Sequence, residues 1–159
     1  MKIKSRHHLK MSDARKIIAA IEPLLDDPSA LKKAKLELAE TDEGIDIVFV
    51  NDRPLIMVME EQIFLTVLGA IELEPKKKLV FVDSGAVRFI VNGADVMNPG
   101  IVFADPEIAV GDLVIVAEER HKKPLAIGRA LLPGTEMHGE GKAVKSLHHV
   151  GDLIWEGLV

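Results

Sequence analysis

Short apolar segments between closely spaced turn signals are the feature that most restricts the fold of this chain. They fill its C-terminal half, where Gly, Pro, Asn and Asp interrupt the sequence at short intervals. The turn signals are Asn98-Pro99-Gly100, Asp105-Pro106, Gly111-Asp112, Lys122-Lys123-Pro124, Pro133-Gly134 and Gly151-Asp152. Apolar runs bounded in this way are typical of β-strands. The spacing therefore predicts a small barrel or sandwich.

A strand and a helix precede these segments. The apolar run Leu79–Val82 predicts a buried strand. Ser84 is placed to cap a helix that runs to about Asn92, and Gly93 is placed to end it. The predicted helix carries three apolar residues on one face, and these are Ala86, Phe89 and Ile90.

The first half begins with a predicted strand over residues 2–9 and a helix capped by Ser12. Pro23 must end or kink this helix, because proline lacks a backbone donor and clashes with the preceding turn. Pro28 and Ser29 then restart a short helical turn. The apolar face of the first helix is formed by Ile17, Ile18, Ile21, Leu24 and Leu25.

From Lys35 the apolar period changes from that of a helix to two, which predicts strands. The predicted strands begin at Leu36, run over Ile45–Val50 and run over Leu55–Met59, with turns at residues 41–44 and 51–54. Residues 61–71 fit a helix or a strand, and we expect a short helix. The fold class is therefore α+β, with a small α+β domain over residues 1–74 and a second domain over 75–159. Glu74-Pro75 and the lysines that follow mark the boundary.

Composition limits the chemistry. The chain has no Cys, which excludes a disulfide framework, a thiolate zinc site and a cysteine nucleophile. No apolar run approaches the roughly 20 residues of a membrane-spanning helix. The N-terminus lacks the apolar core of a secretory signal. We therefore expect a cytoplasmic protein with no membrane contact.

Charge is unevenly distributed along the chain. The net charge is −5, which opposes broad coating of nucleic acid. Residues 1–74 carry ten basic and fourteen acidic residues, and residues 75–159 carry ten and eleven. Residues 1–16 carry six basic residues and only Asp13. The sequence thus allows a local basic surface at the N-terminus.

Neither a metal site nor an active site is predicted. His7-His8 and His148-His149 are adjacent pairs, and side chains of neighbouring strand residues point to opposite faces. A zinc site also lacks its usual ligand spacing. The sequence contains no nucleophile elbow, phosphate-binding loop or dinucleotide fingerprint. We expect no catalytic residue, no metal and no cofactor.

Five blocks in chain order resemble the PUA domain, which is named after pseudouridine synthases and archaeosine transglycosylases. They are Asp83–Ala86, Asn92–Met97, Asn98–Gly100, Val110–Asp112 and Ala126–Ala130, and together they extend over nearly all of residues 75–157. The resemblance implies that the second domain is a PUA-type β pseudo-barrel that binds RNA.

The whole chain is similar to the malignant T-cell amplified sequence family of translation factors, especially its short archaeal members. Phe64–Leu68 with Lys77–Val82 is similar to the family's domain junction, and Lys142–Trp155 is similar to its closing strands. The resemblance implies association with the small ribosomal subunit and with the acceptor end of tRNA. Eukaryotic members act in reinitiation and recycling with a partner protein, so a protein partner is a further expectation.

The candidate RNA-binding residues combine small residues, one Met and basic side chains. Glycine lets a backbone approach a sugar or base closely, and free N–H groups at a helix N-terminus favour phosphate. The set comprises Lys76, Lys77, Lys78, Ser84, Gly85, Ala86, Arg88, Gly93, Ala94, Met97, Val150 and Gly151. A second basic surface comprises Lys2, Lys4, Arg6, Lys10, Arg15 and Lys16.

The alternatives are structural. The glycines equally fit simple turns, and the three lysines equally fit a solvated linker.

We predict a non-enzymatic RNA-binding factor associated with translation, which contacts tRNA or rRNA. Two other functions remain open, a protein-interaction adaptor and an accessory RNA-binding subunit in RNA modification.

Overall fold

A computed structural model describes residues 1–158. It contains two compact units, one formed by Met1–Lys76 with the residues from Glu156 onward, the other by Lys77–Trp155. Within the described residues no helix is both long and apolar enough to cross a membrane.

The first unit is built on an antiparallel sheet in which the strands follow one another in chain order. The strands are β1 (Ile3–His8), β2 (Leu36–Thr41), β3 (Ile45–Val50), β4 (Arg53–Met59) and β5 (Gln62–Leu65). Its helices are α1 (Met11–Ile21), α2 (Ser29–Lys32) and α3 (Val67–Leu73). Helix α1 contacts β5, and α3 contacts β4. Both helices therefore cover the sheet on the side of its last strands, whereas β1 forms the opposite edge.

Helix α1 follows the apolar pattern of the sequence. Ile17 and Ile21 are buried, and the helix gives way at Glu22 to a 3-10 turn that contains Pro23. The prediction that Ser12 caps the helix was wrong. The cap position is Lys10, which makes no side-chain capping bond, and Ser12 already lies within the first turn.

Two other local predictions for this unit were wrong in their bounds, and the short helix expected within residues 61–71 begins only at Val67. The turn between β3 and β4 consists only of Asn51 and Asp52, both with positive φ, so the strand begins at Arg53 instead of after Pro54. This two-residue geometry matches the twist of an antiparallel hairpin. Residues 62–65 form β5 and not part of a helix, because Thr66 caps α3 by accepting a hydrogen bond from the N–H of Gly69.

The second unit contains a six-stranded sheet in the order β7-β11-β10-β9-β6-β8. Its strands are β6 (Leu79–Val82), β7 (Val96–Met97), β8 (Ile101–Ala104), β9 (Leu113–Glu118), β10 (Pro124–Ala130) and β11 (Lys142–His149). Only β6 and β9 run parallel. The sheet is nearly closed and barrel-like. Its core is aliphatic, with Val80, Val116, Leu125 and Val144 among its buried members.

The helical segments of the second unit differ from the sequence prediction. Asp83, not Ser84, occupies the cap position and accepts a hydrogen bond from the N–H of Ala86. A 3-10 turn over Ser84–Ala86 leads into α4 (Val87–Ile90). Because a 3-10 turn has about 3.0 residues per turn against 3.6 in an α-helix, the apolar face shifts along the segment. Ile90 is buried, but Phe89 is 54% exposed and does not share its face.

The end of the second unit also differs. β11 stops at His149, so Val150 and Gly151 lie in a turn and not in a final strand. The helix α5 (Leu153–Leu158) follows this turn, and its residues from Glu156 onward belong to the first unit.

Candidate functional site

Gly93 is exposed at the end of α4 and lies against the turn that follows β11. Its φ of +92° is one that residues with a side chain rarely adopt. A Cβ at this position would lie 3.1 Å from Nε2 of His149. The two candidate positions Gly93 and Val150 are therefore near each other, although 57 residues separate them in sequence.

Asp152 holds the turn after β11 in place. Its carboxylate lies 3.0 Å from Nδ1 of the fully buried His148. It also accepts hydrogen bonds from the backbone N–H groups of His149 (2.8 Å) and Trp155 (2.7 Å). Since an ionised carboxylate only accepts, His148 is the donor in this pair. Burial raises the pKa of Asp152, but the bonds from His148 and the two N–H groups outweigh it, and the pKa lies below its usual value.

Ser84, Gly85 and Ala86 form a separate group at the other end of the helical segment. The N–H of Asp83 donates to the carbonyl of Gly100 at 2.9 Å. A Cβ on Gly100 would lie 3.4 Å from that of Ala86, so the two residues are in contact. Ser84 and Gly85 are exposed. The structure therefore places these three residues beside the Asn98–Gly100 turn. Their contacts differ from those of Gly93, which lies against His149.

Met97 connects the two groups along the edge of the sheet. It pairs with Lys142 of β11 through β7, and it is 45% exposed. Asp95 precedes this pair. The N–H of Ser146 and the Lys142 ammonium hold the pKa of Asp95 below its usual value, although burial acts in the opposite sense. This edge presents an apolar side chain next to a cation.

Arg88 and the neighbouring Phe89 are both exposed on α4. The guanidinium carbon of Arg88 lies 4.7 Å from the centre of the Phe89 ring. Sequence reasoning missed Phe89 as a surface residue because it assigned the ring to the apolar face of the helix. The one feature of the sequence that could have indicated an exposed ring is the position of Phe89 next to Arg88.

The three junction lysines have different environments. Lys78 is half-buried, and its ammonium lies 2.7 Å from the Asp112 carboxylate. Lys77 lies 3.5 Å from the Glu107 carboxylate. Lys76 is exposed and belongs to the first unit. Lys78 is therefore bound to its own unit more firmly than the other two.

The N-terminal basic residues lie on β1 and α1 or directly beside them, with Lys2 before β1 and Lys10 between the two elements. All six residues of β1 are exposed. Arg6 contacts the carboxylates of Glu37 and Asp52, and its guanidinium stacks 3.9 Å from the centre of the Phe49 ring. The remaining members of this surface are exposed, namely Lys2, Lys4, Lys10, Arg15 and Lys16. Arg6 thus has a structural role within the first unit.

Residues 1–158 contain no group of three or more His, Asp or Glu side chains placed to hold a metal ion. Over the same residues the buried His148 pairs with Asp152 and not with a nucleophile. The arrangement offers small exposed residues, one Met and exposed cations, which suit binding of an RNA segment by backbone edges and phosphate contacts.

Comparison with known proteins agrees with this architecture. Residues 78–151 match the PUA domain model. An uncharacterised protein of Methanocaldococcus jannaschii is 41% identical, and the match covers 98% of each chain. Translation machinery-associated protein 20 of Saccharomyces cerevisiae is 26% identical over 85% of this chain and 78% of its own.

A solved structure extends the likeness to the whole chain. The crystal structure of a hypothetical protein from the hyperthermophilic archaeon Pyrococcus horikoshii is 38% identical, with a TM-score of 0.88. The match covers 98% of this chain and all of that one. The mixed helices and strands and the barrel-like sheet are those of a PUA-domain protein. The chain carries a PUA domain and belongs to the malignant T-cell amplified sequence family, as a homologue of translation machinery-associated protein 20.

Proposed function

We propose that this protein is a non-enzymatic RNA-binding factor of the translation apparatus. The PUA domain and the translation-factor homologue support a translation-associated role in RNA binding. The finer proposal is contact with the tRNA acceptor end, with small-subunit rRNA or with both, on the small ribosomal subunit in the cytoplasm. Residues 1–74 would form an α+β domain preceding the PUA domain of residues 75–159. A protein partner is part of the proposal.

The observation that carries the proposal is the exposed Gly93 beside the turn after β11. Gly93, Ala94 and Gly151 are exposed, and Val150 is half-buried. The Asp152 network fixes this turn, so a nucleotide would meet a preorganised backbone and not a mobile loop. Small residues leave room for a base or sugar to approach this backbone.

Cations at the borders of this surface would supply the phosphate contacts. Arg88 is exposed on α4. Lys142 pairs with Met97 across the strands, and its side chain is 59% exposed and forms an ion pair with Asp95 at 3.2 Å. Neutralising phosphates releases condensed counterions, so affinity should fall with salt. Lys76 and Lys77 are further candidates, whereas the ion pair of Lys78 with Asp112 favours a structural role for that lysine.

Gly85→Glu tests the Ser84–Ala86 part of the proposed RNA-binding surface with little demand on the backbone. Gly85 is exposed, its φ is not positive, and a Cβ would meet only the Asp83 side chain, at 3.3 Å. We expect the added carboxylate to repel phosphate and to weaken binding of a tRNA transcript about tenfold or more, on the order of 1.4 kcal/mol. Fluorescence anisotropy at several salt concentrations gives the dissociation constant.

Gly85→Gln is the matched control, since it adds the same bulk without the charge. The proposal predicts that glutamine costs much less affinity than glutamate. If the wild-type protein binds neither tRNA nor small-subunit rRNA fragments above nonspecific background, the proposed function is wrong. Capture of one protein from nuclease-treated extract, without RNA affinity, would instead identify an adaptor.

The basic surface on β1 and α1 would contribute to salt dependence more than to sequence recognition. We expect Lys4→Ala with Lys10→Ala to reduce the slope of log K against log salt by roughly 0.7 for each phosphate of single-stranded RNA that the variant no longer neutralises. Lys33→Ala, an exposed lysine outside this surface, should leave the slope unchanged. Equal slopes in all three proteins would exclude the surface from RNA binding.

A further inference from the structure

The second unit displays its aromatic residues instead of burying them. The chain has five Phe. Phe49 and Phe64 of the first unit are buried, whereas Phe81, Phe89 and Phe103 of the second unit are not. An aliphatic core explains why the unit folds without them. It does not explain why two of the rings meet at the surface.

Phe81 and Phe103 form a ring pair on the outer side of β6 and β8, in which Phe103 is exposed and Phe81 is half-buried. They are directly opposite each other in the antiparallel register, with ring centres 5.8 Å apart. Their neighbours Val80 and Val82 point inward and are fully buried. Phe103 is 50% exposed, and its strand β8 forms an edge of the sheet. The pair therefore presents ring surface that another planar group could cover.

A basic hairpin tip borders this pair. The Lys122 ammonium lies 5.4 Å from the centre of the Phe81 ring. Arg120, His121, Lys122 and Lys123 are consecutive and exposed. Among the described residues, neither Arg120 nor Lys123 forms an ion pair with a carboxylate. The tip thus adds positive charge beside an aromatic surface.

Glu118 keeps the tip ordered, and its carboxylate also lies 3.1 Å from Nδ1 of His121. Its carboxylate accepts hydrogen bonds from the backbone N–H groups of His121 (2.8 Å) and Arg120, and these bonds lower the pKa of Glu118. Glu118 is buried, and its carboxylate contacts the hairpin backbone and the His121 ring. Because the tip is already ordered before RNA binds, less conformational entropy is lost when its basic side chains contact phosphate.

We propose that Phe81, Phe103 and the 120–123 tip form a second RNA contact, a stacking platform for unpaired bases. The combination of accessible ring surface, mainly that of Phe103, with available cations is the chemistry that binds single-stranded nucleic acid without strict sequence preference. It lies on β6 and β8, which adjoin the Ser84–Ala86 and Asn98–Gly100 segments, and it shares no residue with the groups around Gly93 and Gly85. The inference rests on the proposed RNA-binding function and adds the class of RNA, a single-stranded segment.

Phe103→Ala tests the platform. The probe is a fluorescein-labelled single-stranded RNA of twelve nucleotides with mixed sequence and no internal pairing, and a blunt duplex of the same sequence is the comparison. We expect Phe103→Ala to raise the dissociation constant for the single strand about tenfold, and Phe103→Trp to retain binding. The duplex, whose bases are already stacked, should lose less than twofold.

Val102→Ala is a closely matched control, because Val102 is on the same strand and is 51% exposed. It should leave binding of the single strand within twofold of wild type. Circular dichroism checks that each variant keeps its fold. Lys122→Ala should weaken binding of the single strand and reduce the slope of log K against log salt, as expected for a phosphate contact.

The outcomes separate the two proposals. If Phe103→Ala binds the single strand like wild type while Gly85→Glu loses tRNA, the platform is wrong and the proposed function stands. If the wild-type protein binds no RNA at all, both fail. If sedimentation shows self-association that only Phe103→Ala removes, with RNA binding unchanged, the ring pair is a protein interface and the platform is again overturned.

Discussion

Replacing Asp152 with alanine is expected to lower the free energy of unfolding by about 3 kcal/mol. The substitution removes the acceptor for His148, His149 and Trp155 at once. Most of this loss should come from His148, whose buried ring would then lack partners on both nitrogens. It is fully buried, and its Nε2 atom already has no partner among the described residues. Urea unfolding followed by circular dichroism gives the magnitude, and the fluorescence of Trp155, the single tryptophan, reports on the turn.

The effect should depend on pH in one direction. Because the folded pKa of Asp152 lies below its unfolded value, ionisation of Asp152 stabilises the fold above pH about 3.9. This contribution is lost as the pH falls through the lower, folded value. The difference between wild type and Asp152→Ala should therefore be largest near neutral pH and shrink below pH about 4.

Glu156→Ala is the control, since Glu156 is an exposed carboxylate in α5. It should change stability by no more than about 0.5 kcal/mol. A stable Asp152→Ala variant with unchanged Trp155 emission would show that the carboxylate does not hold the turn. If the turn supports the RNA site, Asp152→Ala should also weaken tRNA binding under conditions where it remains folded.

Replacing Gly69 with alanine is expected to destabilise the protein by about 2 kcal/mol, against the usual trend. In an exposed helix interior this change stabilises by about 1 kcal/mol, because glycine is the poorer helix former. Here a Cβ would lie 2.8 Å from the carbonyl carbon of Leu55 and would overlap its oxygen. The obstacle is the backbone of β4, so α3 must move away from the sheet. Overpacking of this kind costs roughly 1–3 kcal/mol or more, which outweighs the helix propensity.

Gly157→Ala tests the same substitution where the neighbour can give way. The nearest atoms to a Cβ at Gly157 belong to the side chain of Met1, with its terminal methyl carbon at 2.9 Å and its Cβ at 3.2 Å, and not to the backbone of a strand. Stability should change by no more than about 0.5 kcal/mol. Thermal and urea unfolding of both variants give the change in the free energy of unfolding. If Gly69→Ala and Gly157→Ala change it equally, the backbone of β4 does not prevent a side chain at position 69.

The turn chemistry of the sequence predicts much of the local structure. The strands Ile45–Val50 and Leu79–Val82 have the bounds that the sequence indicates, and Pro23 ends α1 as proline must. Gly93 ends its helical segment with the left-handed φ expected of a stop. These features depend on a few neighbouring residues, and for that reason a local pattern predicts them.

Helix starts and surface faces are less predictable. Ser12 and Ser84 are both good capping residues in isolation, yet the chain uses Lys10 and Asp83. Residues 62–65 extend a sheet because β4 offers a free edge beside them, although their apolar pattern also fits a helix. Phe89 is exposed because a 3-10 turn changes the helical phase before it.

The sequence by itself determined the strand-rich second half, the positions of its turns, and the small and basic residues offered for RNA contact. Only the tertiary structure brought Gly93 against His149, joined Asp152 to His148, and paired Phe81 with Phe103. These contacts depend on strand order and register, which are set by burial across the whole sheet. A local pattern shows which residues can serve a site, and packing at long range decides which of them meet.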